Sequence, residues 1–282
     1  MKQPEKFLNV RVHDINAKPG LTGLCVGYER GVWRASQFAQ HIFEWLPEFV
    51  LKDSEIKGID SSNMVSMIRN AAKRVYDSEK FNNRGEFGEL FLHAAVRQVF
   101  NSEPAVSKIY YKTATNDTVK GFDSVHVVES HSGELELWLG EAKFYSNIEN
   151  AISDVVKEIQ KHIETDYLRK EFLLIKGKVD PNWKHAQKFN DLLSESTSLD
   201  DIFARTCIPI LLTYNSDCLK NHTICDATYE KDFRIEIKKH YMTFKSKNIP
   251  NNITIHLILL PLNTKAVLIS ELNSKLRIWQ TI

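Results

Sequence analysis

The residues of this chain best equipped for chemistry are Asp123 and the pair Glu141 and Lys143. Two carboxylates supply hard oxygen ligands, and with no cysteine near them they suit Mg²⁺ or Mn²⁺ rather than zinc. The backbone carbonyl of Ala142, a substrate oxygen and waters would complete such a shell. An ammonium held beside the ion, at Lys143, orients an attacking water and stabilises charge that develops on a phosphate. This is the chemistry of in-line phosphodiester hydrolysis. A third acid, Glu89 or Glu86, is available from a preceding helix as a ligand or as a partner for metal-bound water.

A β-hairpin is expected to bring these groups together. Asp123 to Val128 carries β-branched residues at period two, Glu134 to Leu139 alternates, and Ser130-His131-Ser132-Gly133 supplies turn chemistry between them. Antiparallel pairing sets the start of the first strand beside the end of the second, so Asp123 should meet Glu141 although eighteen residues separate them. Strand alternation then puts Glu141 and Lys143 on one face. Ahead of the hairpin, the helix from about Glu86 to Phe100 is apolar around most of its circumference. Its Glu86, Glu89, His93 and Arg97 align in a single polar stripe, which is expected to face the site.

The remaining elements frame this unit. Residues 1–80 read as an N-terminal accessory region: a strand at Phe7 to Ile15, a helix from Val32 to Leu51 that Pro47 kinks or splits, and a second helix capped by Ser61 or Ser62. Residues 81–282 read as the core. A strand is expected at Val106 to Lys112, then the hairpin and one long helix from Ile148 to Arg169 with Ile148, Ile152, Val155, Ile159 and Ile163 inward. Residues 176–205 read as an insertion. Ile208 to Thr213 and Ile253 to Pro261 read as strands buried on both faces, each followed by an amphipathic helix, Tyr229 to Lys245 and Thr264 to Trp279. The order describes an α/β fold, a mixed sheet flanked by helices.

Composition sets the outer limits. At 282 residues and 43% hydrophobic content the chain reads as globular. Lys plus Arg (37) and Asp plus Glu (36) nearly cancel, so a nucleic acid would have to be held by a local patch. Four scattered cysteines make no disulfide framework and no signal peptide is recognisable, which points to the cytoplasm. No apolar run approaches the ~20 residues that span a bilayer.

Gly121-Phe122-Asp123, Gly140-Glu141-Ala142-Lys143 and the helix opening Arg84-Gly85-Glu86-Phe87-Gly88-Glu89 together resemble the PD-(D/E)xK nucleases of restriction endonuclease-like fold. The first motif departs from the nominal pattern, since Gly121-Phe122 stands where Pro is usual. No Gln/Tyr motif of the RecB-like branch follows in the helix containing Gln160. In relatives with a helical acid, a basic residue and a glycine precede it by a few positions, which favours Glu89 over Glu86. Across most of its length the chain more closely resembles the nuclease subunit of the Hachiman bacterial antiphage defence system. That resemblance implies a Mg²⁺-dependent deoxyribonuclease acting on DNA, with a superfamily 2 helicase as the partner that restrains it. The alternatives are a stand-alone restriction endonuclease or junction resolvase, and a non-catalytic DNA-binding or scaffolding subunit of a helicase complex.

Several other residues carry a bland reading beside a functional one. Glu86, His93, Lys112 and Lys120 are supporting candidates; the bland reading is a satisfied polar histidine and solvated charges. Lys231, Arg234, Lys238 and Lys239 form the best basic patch and could track a DNA backbone. A charged outer face opposite Phe233, Ile237, Tyr241 and Phe244 explains them more simply. Cys218, His222 and Cys225 lack a fourth ligand and match no common zinc spacing.

Overall fold

The computed structural model describes residues 3–75, 85–107, 121–130 and 133–282. The chain begins with strands Asn9–Asp14 (β1) and Gly20–Cys25 (β2) and a short hairpin of Tyr28–Glu29 (β3) with Val32–Trp33 (β4). Helices Ala35–Glu44 (α1), Leu46–Val50 (α2), Asp53–Lys57 (α3) and Met64–Val75 (α4) follow. Next come helix Gly85–Phe100 (α5) and strands Glu103–Ser107 (β5), Ser124–Glu129 (β6) and Leu135–Phe144 (β7). Four helices lead to the next strand: Ile148–His162 (α6), Thr165–Lys176 (α7), Ala186–Leu192 (α8) and Leu199–Ala204 (α9). The chain ends with Thr206–Asn215 (β8), Asp217–Asn221 (α10), Ala227–Lys245 (α11), Thr254–Leu262 (β9) and Lys265–Thr281 (α12).

Seven strands make one mixed sheet in the order β1-β2-β9-β8-β7-β6-β5. The middle four, β2, β9, β8 and β7, run parallel, while β1, β6 and β5 are antiparallel to their neighbours. The apolar runs of β8 and β9 have this cause: helices cover both faces, and Ile208, Ile210, Leu211, Leu212 and residues 257–260 are buried. The expected mixed sheet flanked by helices is therefore present, and the strands follow one another from residue 84 onward as expected, with α7 and α10 added among the helices.

Strand β7 is sandwiched between two helices with opposite demands. Its Gly140 and Phe144 face α5. A Cβ on Gly140 would fall 2.6 Å from Leu92 Cδ2, so only glycine lets the helix approach here, and Phe91 meets Phe144 edge-on at 5.2 Å. The alternate residues, Glu141 and Lys143, face α6.

Four expectations are corrected. The long helix expected from Ile148 to Arg169 breaks after His162, because a straight continuation would turn Lys170 inward, whereas the break rephases the chain so that Leu168, Phe172 and Ile175 are buried. The helix expected from Val32 to Leu51 yields its first two residues to β4 and divides at Trp45, with Pro47 opening α2. The next helix starts at Met64 rather than at Ser61 or Ser62, since Asp60 binds the Ser62 amide at 2.8 Å and Asn63 binds the Asp60 amide at 2.9 Å in a preceding turn. The strand expected from Val106 runs from Glu103 to Ser107, and residues 108–112 lie outside the described set. Strand β2 was not expected: it is buried along its whole length, so it shows no alternation, and its two glycines weaken the β signal. Through β1 and β2 the N-terminal region continues the central sheet beside β9.

Candidate active site

The hairpin pairs as its sequence requires. Ser124 lies opposite Gly140, and the Asp123 amide donates to the Gly140 carbonyl at 2.8 Å, one residue before the assigned strand. The Asp123 side chain is held as well, since its Oδ2 accepts the Ala142 amide at 2.8 Å. Asp123 and Glu141 are both buried, at 7% and 1% exposure, which removes them from competing bulk water. Both pull on Lys143. Burial alone would lower the ammonium's pKa, but its hydrogen bond to Glu158 and the charges of Glu141 and Asp123 raise it above the ordinary lysine value. These acidic neighbours favour the ammonium form of Lys143.

Helices α6 and α7 lay a second row of polar groups over this motif, which reading the sequence did not find. Glu158 takes Lys143, and His162 Nδ1 lies 2.6 Å from Glu141 Oε1. The His162 ring is stacked on Tyr167 at 4.7 Å and meets Phe122 edge-on at 4.9 Å. Glu171 is buried with its carboxylate against Gly121, where a Cβ would collide with it. A signal existed: Glu158 and His162, like Tyr167 and Glu171, stand four apart and so share a helix face.

A cleft of about 580 Å³ opens at the end of β7, and Glu89, Asp123, Lys143, Asn150 and Lys265 are on its wall. Glu89 thus reaches the site from α5. Glu86 is half-buried in the first turn of that helix and is not among the described residues lining the cleft. Among the described residues no three His, Cys, Asp or Glu side chains group closely enough to cage a metal unaided. The donor set at hand, Asp123 and Glu141, has the hard-oxygen chemistry of a Mg²⁺ site, where one or two carboxylates suffice and substrate and water complete the shell.

The polar stripe of α5 does not face the site as a unit. His93 and Arg97 turn to the N-terminal region: Arg97 grips Glu48 of α2 through Nε and Nη2, both at 2.8 Å, and also donates to the Ser102 carbonyl. His93 bridges Glu48 at 3.1 Å and His126 at 3.2 Å. Burial alone would raise the Glu48 carboxyl, yet the hydrogen bonds from His93 and Arg97 hold it at about 2. The stripe has its polar neighbour, but past Glu89 that neighbour is Glu48, because the helix turns its later residues toward α2.

Lys112 and Lys120 lie outside the described residues. Lys231, Arg234, Lys238 and Lys239 are exposed on α11, with Arg234 paired to Glu230 at 2.6 Å. That helix packs on β1 and β2, and none of the four is among the described residues lining the cleft. Cys218, His222 and Cys225 make no metal-binding group among the described residues, and His222 instead meets Asp232 at 3.1 Å. No described helix is long and apolar enough to cross a membrane.

The family model for HamA matches residues 1–276, nearly the whole sequence. The chain belongs to the HamA family. This HamA-family chain is also 23% identical over 261 residues to anti-bacteriophage protein A of Escherichia coli (strain K12), a match covering 89% of the chain and 46% of that relative. It thus spans about half the length of the curated relative.

Proposed function

We propose that this chain is a metal-dependent deoxyribonuclease of PD-(D/E)xK type with a restriction endonuclease-like core, the effector of a Hachiman-type antiphage defence complex under the control of a partner helicase. The observation that carries the catalytic part is the apposition at the end of β7. Asp123 is tied to the Ala142 amide at 2.8 Å, with Glu141 and Lys143 flanking that amide, beside a cleft whose wall includes Glu89. Membership of the HamA family and the anti-bacteriophage relative support the defensive role.

Each group has a task in this reading. Asp123 and Glu141, with the Ala142 carbonyl, would hold Mg²⁺ or Mn²⁺, which supplies Lewis acidity to activate water and offset phosphate charge. Lys143, kept protonated by its acidic neighbours, stabilises negative charge on the phosphate and orients the attacking water. Glu158 and His162 keep Lys143 and Glu141 in place, as partners of reactive side chains do. Glu89 addresses the water from the cleft wall. DNA is the substrate and the superfamily 2 helicase is the partner.

The test is a plasmid-nicking assay of the purified chain in Mg²⁺ or Mn²⁺, alone and with the helicase. Cleavage should need the metal and should vanish in the Glu141→Ala, Lys143→Ala double variant. A double variant that still cuts DNA sinks the mechanism.

A further inference from the structure

The cleft contains a second lysine whose position is costly. Lys265 opens α12, directly after the N-cap Thr264, whose side chain accepts the Val267 amide. A cation in the first turn opposes the positive end of the helix dipole. Lys265 is also half-buried, and burial lowers its pKa below the ordinary lysine value. Among the described residues no carboxylate balances it. Its Nζ donates to the Phe144 carbonyl at 2.5 Å and sits 4.5 Å from the centroid of the Phe144 ring. An uncharged donor would cap that carbonyl at less cost, so the capping role alone does not account for a lysine here.

The surroundings give the charge a use. Lys265 shares the cleft wall with Lys143 and with Asn147 and Asn150, the N-cap and first-turn residues of α6. Two ammonium groups and the first turns of α6 and α12 thus line one cleft, together with Asp123 and Glu89. Lys143 faces α6 and the Phe144 ring faces α5, so Lys265, lying over that ring, reaches the strand end from the other side. An anion held by Lys265 would therefore be a different group from the one Lys143 addresses.

We propose that Lys265, with the first turn of α6, forms a phosphate subsite that grips a nucleic-acid backbone phosphate neighbouring the one to be cleaved. The inference rests on the nuclease reading and deepens it. Lys265 is a positioning residue: it locates the strand and takes no part in bond breaking.

The test compares wild type with Lys265→Gln and Lys265→Arg, each full-length and with the helicase where that is needed for activity. Glutamine removes the charge and keeps an N–H donor on a side chain one atom shorter, and thermal melting reports any loss of the Phe144 contact. Binding of a fluorescein-labelled DNA duplex is measured across a salt series, together with cleavage kinetics and thermal melting. Lys265→Gln should lower the slope of log K against log salt by about 1. Its KM for DNA should rise several-fold more than kcat falls, and Lys265→Arg should restore both. An unchanged slope and KM in Lys265→Gln, with wild-type cleavage intact, overturns the subsite and leaves the nuclease standing. A wild-type protein that neither binds nor cuts DNA overturns both.

Discussion

Two buried polar clusters of similar composition meet different fates in this molecule. The first joins Glu48 to His93, Arg97, His126 and Ser102; the second gathers Asp123, Glu141 and Glu171 with Lys143 and His162. In the first, donors and acceptors are matched to one another: both nitrogens of His93 and of His126 are engaged, and the Arg97 fork closes on Glu48. Such a network is a structural clamp between the N-terminal helices and the sheet. In the second, the buried Asp123 and Glu141 stand beside the Lys143 ammonium, and a cleft opens beside them. Buried titratable groups gathered beside a cleft mark a place where a cation or a substrate can be met. The open cleft, more than residue type, separates the two.

The contrast can be broken by experiment. The largest effect is expected from Glu48→Ala, which leaves Arg97 buried without its carboxylate and should cost about 3–5 kcal/mol in denaturant unfolding. Cleavage per folded molecule should be unaffected. Loss of cleavage at full stability would instead place Glu48 in the site. Asp123→Asn should act in the opposite sense. The amide still accepts from Ala142, so the melting temperature should hold or rise, while DNA cleavage falls by roughly 10²–10³-fold. A melting drop comparable with that of Glu48→Ala would erase the distinction.

Acid should weaken the clamp. Glu48 titrates at about 2 in the folded chain, below its ordinary value of 4.5. A depressed carboxyl contributes stability that is fully present above the unfolded value and is lost as pH falls through the folded one. The window is thus from about 4.5 down to about 2, with roughly 3 kcal/mol at stake as an upper bound. A pH series of urea unfolding should show this loss, and Glu48→Gln should flatten it. The smallest effect concerns Gly121. Adding a Cβ forces it against the buried Glu171 carboxylate, so Gly121→Ala should cost about 1–3 kcal/mol, recovered in part by Glu171→Ala. Equal melting of wild type and Gly121→Ala would mean that Glu171 does not press on the motif.

Much of the frame was legible because local patterns carry it. The alternation of 123–128 and 134–139 around a turn announced a hairpin, and a hairpin has one way to place Asp123 relative to Glu141. The apolar runs that became β8 and β9 announced buried strands. Strand β2 was invisible for the complementary reason, since a strand buried on both faces and diluted by two glycines has no period to read. The polar stripe of α5 was legible as a stripe but not in its direction, because the orientation of a helix about its axis depends on what packs against it. Glu158, His162 and Glu171 were missed because their importance lies in contacts with residues 15, 21 and 50 positions away, to Lys143, Glu141 and Gly121.

The sequence by itself determined the acids, the lysine and the hairpin that apposes them, since period-two alternation and antiparallel pairing leave little freedom over so short a span. Only the tertiary structure decided which polar residues share that space. It turned His93 and Arg97 toward Glu48, set α6 and α7 over Glu141 and Lys143, and brought Lys265 to the cleft from 121 residues beyond Phe144. Those partnerships arise from long-range packing of helices on the sheet, and packing has no period in the chain.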